Sequence, residues 1–129
     1  MKLILSFVIS FGLLSSMSAK ANEAVIEAMG EYLMFQEYES GIILPQQIDR
    51  SVFEAVTWID TRDSEQFGKQ TIPGAIHIEW RQVIERIDEI PTDRKVIVFC
   101  NTGSLSAQAA FALRVAGFDN VVVMQSGFL

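Results

Sequence analysis

The chain has 129 residues, the size of about one domain, and its 10 basic and 16 acidic residues give a formal net charge of −6 at pH 7. An acidic chain is a poor partner for nucleic acids and anionic membrane surfaces, so neither is expected as a partner. A single cysteine excludes an internal disulfide, and one cysteine with one histidine lacks the ligand set of a structural zinc site. We therefore expect no metal and no cofactor.

The first 21 residues have the pattern of a secretory signal peptide. Lys2 supplies a basic start, residues 3–14 form an apolar run, and Ala19-Lys20-Ala21 is an A-x-A cleavage site. The run is shorter than the roughly 20 residues that span a bilayer, although an uncleaved N-terminal anchor is the alternative. Cleavage after Ala21 would leave 8 basic and 16 acidic residues, a net charge of −8. We expect a periplasmic or secreted protein with no stable membrane association.

The rest of the chain alternates two kinds of apolar pattern. Short runs rich in Val and Ile predict buried strands, and longer runs with apolar residues at helical spacing predict helices. Strands that alternate with helices across short loops form a parallel sheet covered on both faces. The predicted fold class is therefore α/β, with about five parallel strands, helices on both faces and an N-terminal helical extension over residues 22–40. In chain order, the predicted elements are a helix over 23–38 capped by Asn22, a strand over 42–44, a helix over 46–55 with Pro45 in its first turn, a strand over 57–59, a helix from Asp63 or Ser64 to Phe67 ended by Gly68, a strand over 75–78, a helix over 80–90, a strand over 96–99, a helix over 106–116 closed by Gly117, and a strand over 121–124.

Cys100 has the most informative surroundings in the chain. It follows the strand predicted over residues 96–99 and precedes the turn NTGSLS at 101–106 and a helix N-terminus. Backbone N–H groups in such a turn can point at the sulfur, and the helix dipole adds partial positive charge, so the thiolate is favoured. We expect the pKa of the thiol to fall below its free value of about 8.5. The alternative is a structural cysteine that packs as a small hydrophobe.

The topology predicts which polar residues share an edge with Cys100. In parallel α/β sheets, functional sites lie at the carboxyl ends of the strands, and both Cys100 and the polar cluster at residues 60–63 follow such ends. Nucleophilic cysteines usually recruit a histidine base, but His77 belongs to a predicted strand and is expected to be structural. Cysteine-based phosphoryl transfer needs an arginine six positions after the cysteine, where this chain has Ser106. Attack of a thiolate on an activated sulfur, giving a persulfide, fits the residues that remain.

Five blocks occur in the order of a known family. They are WIDTR at 58–62, EQFG at 65–68, IPGAIHI at 72–78, the strand and loop that carry Cys100, and GFDNV at 117–121. With these blocks the chain resembles a rhodanese domain over residues 41–129, and it is similar to the exported single-domain thiosulfate sulfurtransferases of bacteria. The resemblance implies a sulfurtransferase that moves sulfane sulfur from thiosulfate or a persulfide donor to a thiol or cyanide through a Cys100 persulfide.

The resemblance also implies the roles of residues around Cys100. Asp60 and Arg62 match the D-x-R block of the family, which braces the loops around the site. Arg62 is also taken as a substrate-binding residue, and Asp60 and His77 as structural residues near the site. The remaining substrate-binding residues implied by the resemblance, which would cradle the sulfur with their amides, are Asn101, Thr102, Gly103, Ser104, Leu105 and Ser106.

Two segments depart from the family pattern. Many thiosulfate-using members carry a basic residue in the second half of the loop, where this chain has Ser104 and Leu105, so weak thiosulfate binding and a persulfide or polysulfide donor are expected. The last strand of the family leads into a Gly-Gly turn and a further helix, whereas this chain has SGFL at 126–129. The resemblance therefore implies one of two alternatives, a domain that is trimmed at its C-terminus or a sequence that is incomplete.

Other functions are compatible with the same residues. One is a sulfur-carrier module that receives sulfur only from a protein partner. Another is a thiol redox or stress-sensing module in which Cys100 forms mixed disulfides, although the chain has no C-x-x-C pair. The helix over 23–38 lies outside the resemblance, and three roles are open for it: packing on the domain, forming a homodimer, or substituting for the missing C-terminal helix.

Overall fold

The structure is a computed structural model that describes residues 22–128. The predicted signal peptide lies outside the described residues. The described residues belong to two units, residues 22–36 and residues 37–128, and each is treated separately below.

The described part of the first unit is one helix, α1, over residues 22–34. It ends before residue 38, the end that the sequence predicts, because Gln36 donates its N–H to the Leu33 carbonyl and tightens the last turn. Its apolar side chains are largely exposed, including Ile26 at 70% and Met34 at 78%. Among residues 22–128, no helix combines the length and the apolar composition needed to cross a membrane.

The second unit contains a five-stranded parallel sheet, which confirms the predicted α/β class. The strands are β1 (Ile42–Ile43), β2 (Thr57–Asp60), β3 (Ile76–His77), β4 (Val96–Phe99) and β5 (Val121–Met124), in the order β1-β5-β4-β2-β3. β4 therefore lies at the centre of the sheet and is paired with β5 on one side and with β2 on the other.

Both faces of the sheet are covered. Because side chains alternate between the two faces along each strand, neighbouring residues of β4 pack against different layers. On one face, Val96 and Val98 pack with Leu113 of the long helix α4 (Ser104–Val115). On the other face, Ile97 and Phe99 pack with residues around the short helix α2 (Arg50–Ala55) and with Phe128. All four residues of β4 are inaccessible to solvent. The strand that leads into Cys100 is therefore the most completely buried strand of the sheet.

The predicted helix over 80–90 is wrong. The segment forms two 3₁₀ turns, Trp80–Gln82 and Ile87–Glu89, joined by turns. Its backbone is tied to the sheet, since Trp80 donates its N–H to the Thr61 carbonyl and Arg86 donates from Nη1 to the His77 carbonyl at 3.0 Å. The apolar spacing that predicts a helix instead reflects burial of Val83 and Ile90 against the core.

Three other helix boundaries differ from the sequence prediction. The segment predicted as a helix over 46–55 is a 3₁₀ turn, Pro45–Gln47, followed by α2, because the Asp49 side chain accepts the Val52 N–H and caps a new start. Helix α3 (Ser64–Lys69) continues through Gly68 and is capped at its start by Asp63. Helix α4 begins at Ser104 rather than Ser106, since Gly103 already accepts the Ala107 N–H.

Candidate active site

Cys100 and the D-x-R block lie at the same edge of the sheet. Asp60 pairs with Phe99 in the register of β2 and β4, so the residues that follow the two strands leave the sheet side by side. The Arg62 guanidinium reaches across to the loop after β4, with Nη1 3.2 Å from the Asn101 Oδ1 atom. The shared edge predicted from the sequence is therefore present.

The Cys100 thiol is enclosed at the base of its loop. The residue is only 2% exposed. Its Sγ atom accepts a hydrogen bond from the Gly103 N–H at 3.2 Å and lies 3.5 Å from the Ser106 hydroxyl, which also donates to it. Donors aimed at sulfur stabilise the thiolate relative to the thiol. The turn after β4 has the donor arrangement that the sequence predicts.

Two opposing effects determine the acidity of this thiol. Burial is the largest single influence and acts to raise the pKa of Cys100. Hydrogen bonds from the Ser106 hydroxyl and from the amides of Ser106, Thr102 and Leu105 act in the other direction, and together they hold the pKa of Cys100 below its ordinary value. The predicted direction of the shift is confirmed.

The Ser106 hydroxyl lies within hydrogen-bond distance of two acceptors in the loop. Its side chain is inaccessible to solvent, and its hydroxyl also lies 3.1 Å from the Gly103 carbonyl. A hydroxyl has one proton, so Sγ and this carbonyl compete for it, and a negatively charged sulfur is the stronger acceptor. Ser106 therefore favours the thiolate without adding a charge to the site.

Gly103 allows the loop to close around the sulfur. It adopts φ 92°, a left-handed conformation that side chains rarely take, and it immediately precedes α4. This conformation turns its N–H toward Sγ while its carbonyl begins the helix. The N-terminal end of α4 thus meets the sulfur, where its partial positive charge favours an anion.

The outer part of the loop faces solvent. Thr102 and Ser104 are exposed and their hydroxyls lie 2.8 Å apart, paired with each other. Leu105 is 38% exposed. None of the six side chains from 101 to 106 carries a charge. A substrate that approaches Cys100 therefore meets hydroxyl, amide and alkyl groups on this side.

Arg62 and Asp60 form a buried, fully bonded ion pair. Arg62 donates from Nε to Asp60 Oδ1 at 3.0 Å and from Nη2 to Oδ2 at 2.7 Å, and Thr71 donates to the same Oδ2 at 2.8 Å. Arg62 also donates to the Gln70 carbonyl at 2.6 Å. The guanidinium thus connects β2, the loop after α3 and the Cys100 loop. These contacts account for a bracing role, and substrate binding by Arg62 stays a prediction.

His77 is held by the same group of residues. Its Nε2 atom is 2.7 Å from the Arg62 carbonyl, to which it donates, and its ring stacks on Phe67 with centroids 4.7 Å apart. A carbonyl can only accept, so this contact requires a proton on Nε2. These contacts agree with the structural role predicted for His77.

Three residues that contact the loop are absent from the sequence-based set. Gln66 accepts the Asn101 side-chain N–H through Oε1 at 2.5 Å, and Phe128 donates its backbone N–H to the Cys100 carbonyl at 2.8 Å. Gly127 packs against the backbone of Asn101. Gln66 lies in the EQFG block and could have been selected from it. Gly127 and Phe128 belong to a turn that the sequence marks only by its departure from the Gly-Gly pattern of the family.

The donor set around Cys100 is that of a thiolate site rather than a metal centre. Among residues 22–128, no group of three or more His, Cys, Asp or Glu side chains is arranged to hold a metal ion.

Comparison with known proteins identifies the family. The model of the rhodanese-like domain matches residues 44–129. Thiosulfate sulfurtransferase PspE of Escherichia coli is 40% identical over 72 residues, which cover 54% of this chain and 69% of that protein. The putative sulfur carrier protein YrkF of Bacillus subtilis is 29% identical over 82 residues, 64% of this chain but only 43% of that protein.

A solved structure gives the same result for the fold. The crystal structure of a rhodanese-related protein from Thermoplasma volcanium superposes with a TM-score of 0.61 and 27% identity, covering 70% of this chain and 86% of that one. The family match, the identity to PspE and the shared fold agree, and the chain therefore belongs to the rhodanese-like domain family.

Proposed function

We propose that the chain is a sulfurtransferase that carries sulfane sulfur as a persulfide on Cys100. The enzyme class is the one that its family and its named relatives give. The observation that supports the assignment to Cys100 is the set of donors on Sγ, with the Gly103 N–H at 3.2 Å and the Ser106 hydroxyl at 3.5 Å. These donors favour the thiolate, which is the nucleophilic form of cysteine.

The reaction divides into two displacements at sulfur. The Cys100 thiolate attacks the outer sulfur of the donor R–S–S⁻ or of thiosulfate. A Cys–S–S⁻ persulfide forms as the donor S–S bond breaks, and the thiolate R–S⁻, or sulfite, leaves with the bonding electron pair. An acceptor thiolate or cyanide then attacks the outer sulfur of the persulfide and releases the Cys100 thiolate. No net redox change of the protein and no histidine base are required.

The donors around Sγ also suit the intermediate. A persulfide places its negative charge on the outer sulfur, one bond farther from β4 than the thiolate. The Gly103 N–H and the N-terminal end of α4 place partial positive charge at this end of the loop, where it favours an anion. The same loop that lowers the pKa of Cys100 can therefore hold the charge after the first displacement.

The charge of the loop argues for a donor of low charge. Thiosulfate is a dianion, and the side chains of residues 101–106 offer it no cation. The Arg62 charge is already bound to the Asp60 carboxylate, with Nη2 2.7 Å from Oδ2. We therefore propose that an organic persulfide or polysulfide is used better than thiosulfate, with a thiol as the acceptor.

A sulfur-carrier role is the second candidate. The similarity to a putative sulfur carrier protein favours it, and the closed position of Cys100, at 2% exposure, suits a sulfur that is protected between partners. A carrier accepts one sulfur atom for each Cys100 without catalysing multiple turnovers. An enzyme releases many product molecules for each Cys100.

The test combines mass and turnover. The purified protein is treated with thiosulfate or with glutathione persulfide, and its intact mass is measured before and after addition of cyanide. We expect a gain of one sulfur atom that cyanide removes, together with multiple turnovers of thiocyanate formation. Cys100→Ser should abolish both, and Cys100→Ala should fold with little loss of stability because a small thiol contributes modest packing.

Each component of the proposal can fail separately. Full sulfur transfer by Cys100→Ser would contradict the Cys100 mechanism. A persulfide without turnover would identify a carrier. A stable disulfide with an added thiol in place of a persulfide would favour a redox-sensing module.

A further inference from the structure

A turn near the end of the described chain contacts the loop that carries Cys100. We call residues 126–128 the C-terminal turn. The Phe128 N–H donates to the Cys100 carbonyl at 2.8 Å, the only backbone hydrogen bond among those described between this turn and the carbonyls of the loop. The contact joins the reactive residue to a segment that follows β5, the strand next to β4.

The approach of the two segments is as close as their backbones allow. Gly127 adopts φ 66°, in the left-handed region. A Cβ atom added at Gly127 would lie 2.3 Å from the Asn101 carbonyl oxygen and 2.6 Å from that of Cys100. Separations under 3.0 Å essentially never occur for real Cβ atoms, so no side chain fits here unless the loop moves. Glycine at 127 is a requirement of the Cys100 loop.

The ring of Phe128 fixes the turn in place. Its centroid lies 5.6 Å from that of Phe99, the residue before Cys100, and the Arg62 guanidinium carbon lies 4.6 Å above the ring. The turn is therefore packed against both the strand that leads into the loop and the residue that braces the loop from β2.

The hydrogen bond to the Cys100 carbonyl also sets the direction of the next amide. In a planar trans peptide the C=O and the following N–H point in opposite directions. When Phe128 holds the Cys100 carbonyl on one side, the Asn101 N–H is turned to the other side. The preceding carbonyl, that of Phe99, is held in turn by the Thr61 N–H at 2.9 Å and hydroxyl at 2.8 Å. Residues outside the loop, Phe128 and Thr61, thus fix the orientation of two successive peptides at its start.

We infer that the C-terminal turn is a positioning element of the active site, which holds the Cys100–Asn101 peptide so that the amides of the loop stay directed at the sulfur. The described contacts of the turn are with the Cys100 carbonyl, Phe99 and Arg62 rather than with the sulfur, so the turn acts through the loop. The inference rests on Cys100 as the nucleophile of the proposed function, but the thiol can be probed without any sulfur transfer.

Two glycine substitutions separate positioning from general strain. Gly127→Ala places a methyl group against the Asn101 backbone. Gly74→Ala is the matched control, because Gly74 has a similar left-handed φ of 82° but nothing lies within 4 Å of its added Cβ. Both variants introduce left-handed strain, and only the first displaces the loop. The charged groups linked to Cys100, namely Arg62 and through it Asp60 and Asp63, are unchanged in both.

The readout is the pH profile of Cys100 alkylation by iodoacetamide. The midpoint of this profile reports the ionisation of the thiol independently of its exposure. For Gly127→Ala we expect the midpoint to rise by about one pH unit, which is roughly a tenfold loss of thiolate at pH values below both midpoints, as expected when a hydrogen bond to an ionised group is lost. Gly74→Ala should keep the midpoint of the unsubstituted protein while its melting temperature falls.

Equal midpoints in the two glycine variants would overturn the inference, whatever their sulfur transfer activity. If Gly127→Ala does not fold, the amide bond before residue 128 is replaced by an ester through incorporation of phenyllactate, which removes only the Phe128 N–H. An unchanged alkylation midpoint in that ester would also overturn it, whereas a raised midpoint would support it.

Discussion

The loops that follow β2 and β4 leave the same edge of the sheet but use their polar groups in different ways. After β2, the charges of Asp60 and Arg62 are buried and bonded to each other at 2.7 Å. After β4, the loop has no charged side chain, and its donors are directed at the Cys100 sulfur. Full formal charges are present in the first loop and partial charges in the second.

The difference indicates that the loop after β2 maintains the structure of this edge and that the loop after β4 provides its reactive group. A buried ion pair that satisfies both partners offers little to a substrate, because any new contact must compete with the existing bonds. A loop that stabilises an anion through amides and hydroxyls can stabilise the thiolate first and the negative charge of the persulfide afterwards. The comparison suggests that the charged residues maintain the shape of the site and the uncharged ones carry its reactivity.

The largest expected effect tests the architectural half of this comparison. Arg62→Ala would leave the inaccessible Asp60 carboxylate without its cation, and removing one partner of a buried pair costs about 3–5 kcal/mol of unfolding free energy. The measurement is urea denaturation. Arg81→Ala is the matched control, because Arg81 also pairs with a carboxylate two positions earlier, that of Glu79, but its side chain is 72% exposed. An exposed pair is worth about 0–1 kcal/mol.

Similar losses for the two arginine variants would mean that burial does not distinguish the D-x-R block from an ordinary surface pair. The difference between loops would then need another basis.

A second prediction adds a charge to the uncharged loop. Leu105→Arg should lower KM for thiosulfate about ten- to a hundredfold, since a charge-assisted hydrogen bond contributes about 1.5–3 kcal/mol. Steady-state kinetics with thiosulfate, a dianion, and with the persulfide of 2-mercaptoethanol, a monoanion, provide the measurement, and we expect a smaller change for the less charged donor. Leu105→Gln, of similar length and no charge, is the control. An equal gain for both donors, or for both variants, would indicate that position 105 acts through loop packing.

A third prediction concerns the acidity of the thiol. The Ser106 hydroxyl favours the thiolate, so Ser106→Ala should raise the pKa of Cys100 and with it the midpoint of the pH profile of activity. Activity that depends on the thiolate increases as pH rises through this pKa. The variant should therefore lose activity at neutral pH and recover it at alkaline pH, where both thiols are ionised. Ser104→Ala removes a hydroxyl that pairs with Thr102 instead, and its pH profile should not shift.

The smallest expected effect lies beside the Cys100 loop. Ser126 has φ 70°, a conformation that costs a residue with a side chain about 1–2 kcal/mol, against the roughly 0.5–1 kcal/mol of entropy that glycine loses. Ser126→Gly should therefore stabilise the protein by up to about 1 kcal/mol, measured by thermal or urea unfolding. The neighbouring Gln125→Gly should do the opposite. A destabilised Ser126→Gly would show that the serine side chain makes a compensating contribution.

The strands and the Cys100 loop are the parts that the sequence predicts well. Continuous apolar runs rich in Val and Ile in β4 and β5 predict buried parallel strands. A cysteine directly before a glycine-containing turn and a helix predicts a thiol surrounded by backbone N–H groups. These signals are local, since each depends on neighbours within a few residues. The pKa direction of Cys100 follows from them because its donors come from positions 102–106.

Contacts between distant segments account for what the sequence does not predict. The two 3₁₀ turns around residues 80–89 are set by hydrogen bonds to Thr61 and His77 rather than by their own spacing. The contacts of Gln66 and Phe128 with the Cys100 loop join residues from different parts of the chain. No periodicity encodes such pairs, because either partner is an ordinary surface or turn residue when considered alone.

The strand order has a consequence for biosynthesis. β5 lies between β1 and β4, and among the described strands β1 pairs only with β5, so the register of Ile42 with Val123 can form only after β5 has left the ribosome. Until then, one edge of the apolar strand β4 lacks its partner, and unpaired apolar edges are where nascent chains associate wrongly. Completion of the sheet is thus a late, long-range event in the life of each molecule. The hydrogen bond from Phe128 to the Cys100 carbonyl can form only at that stage, whereas the donors from residues 102–106 are already close to the thiol in the chain.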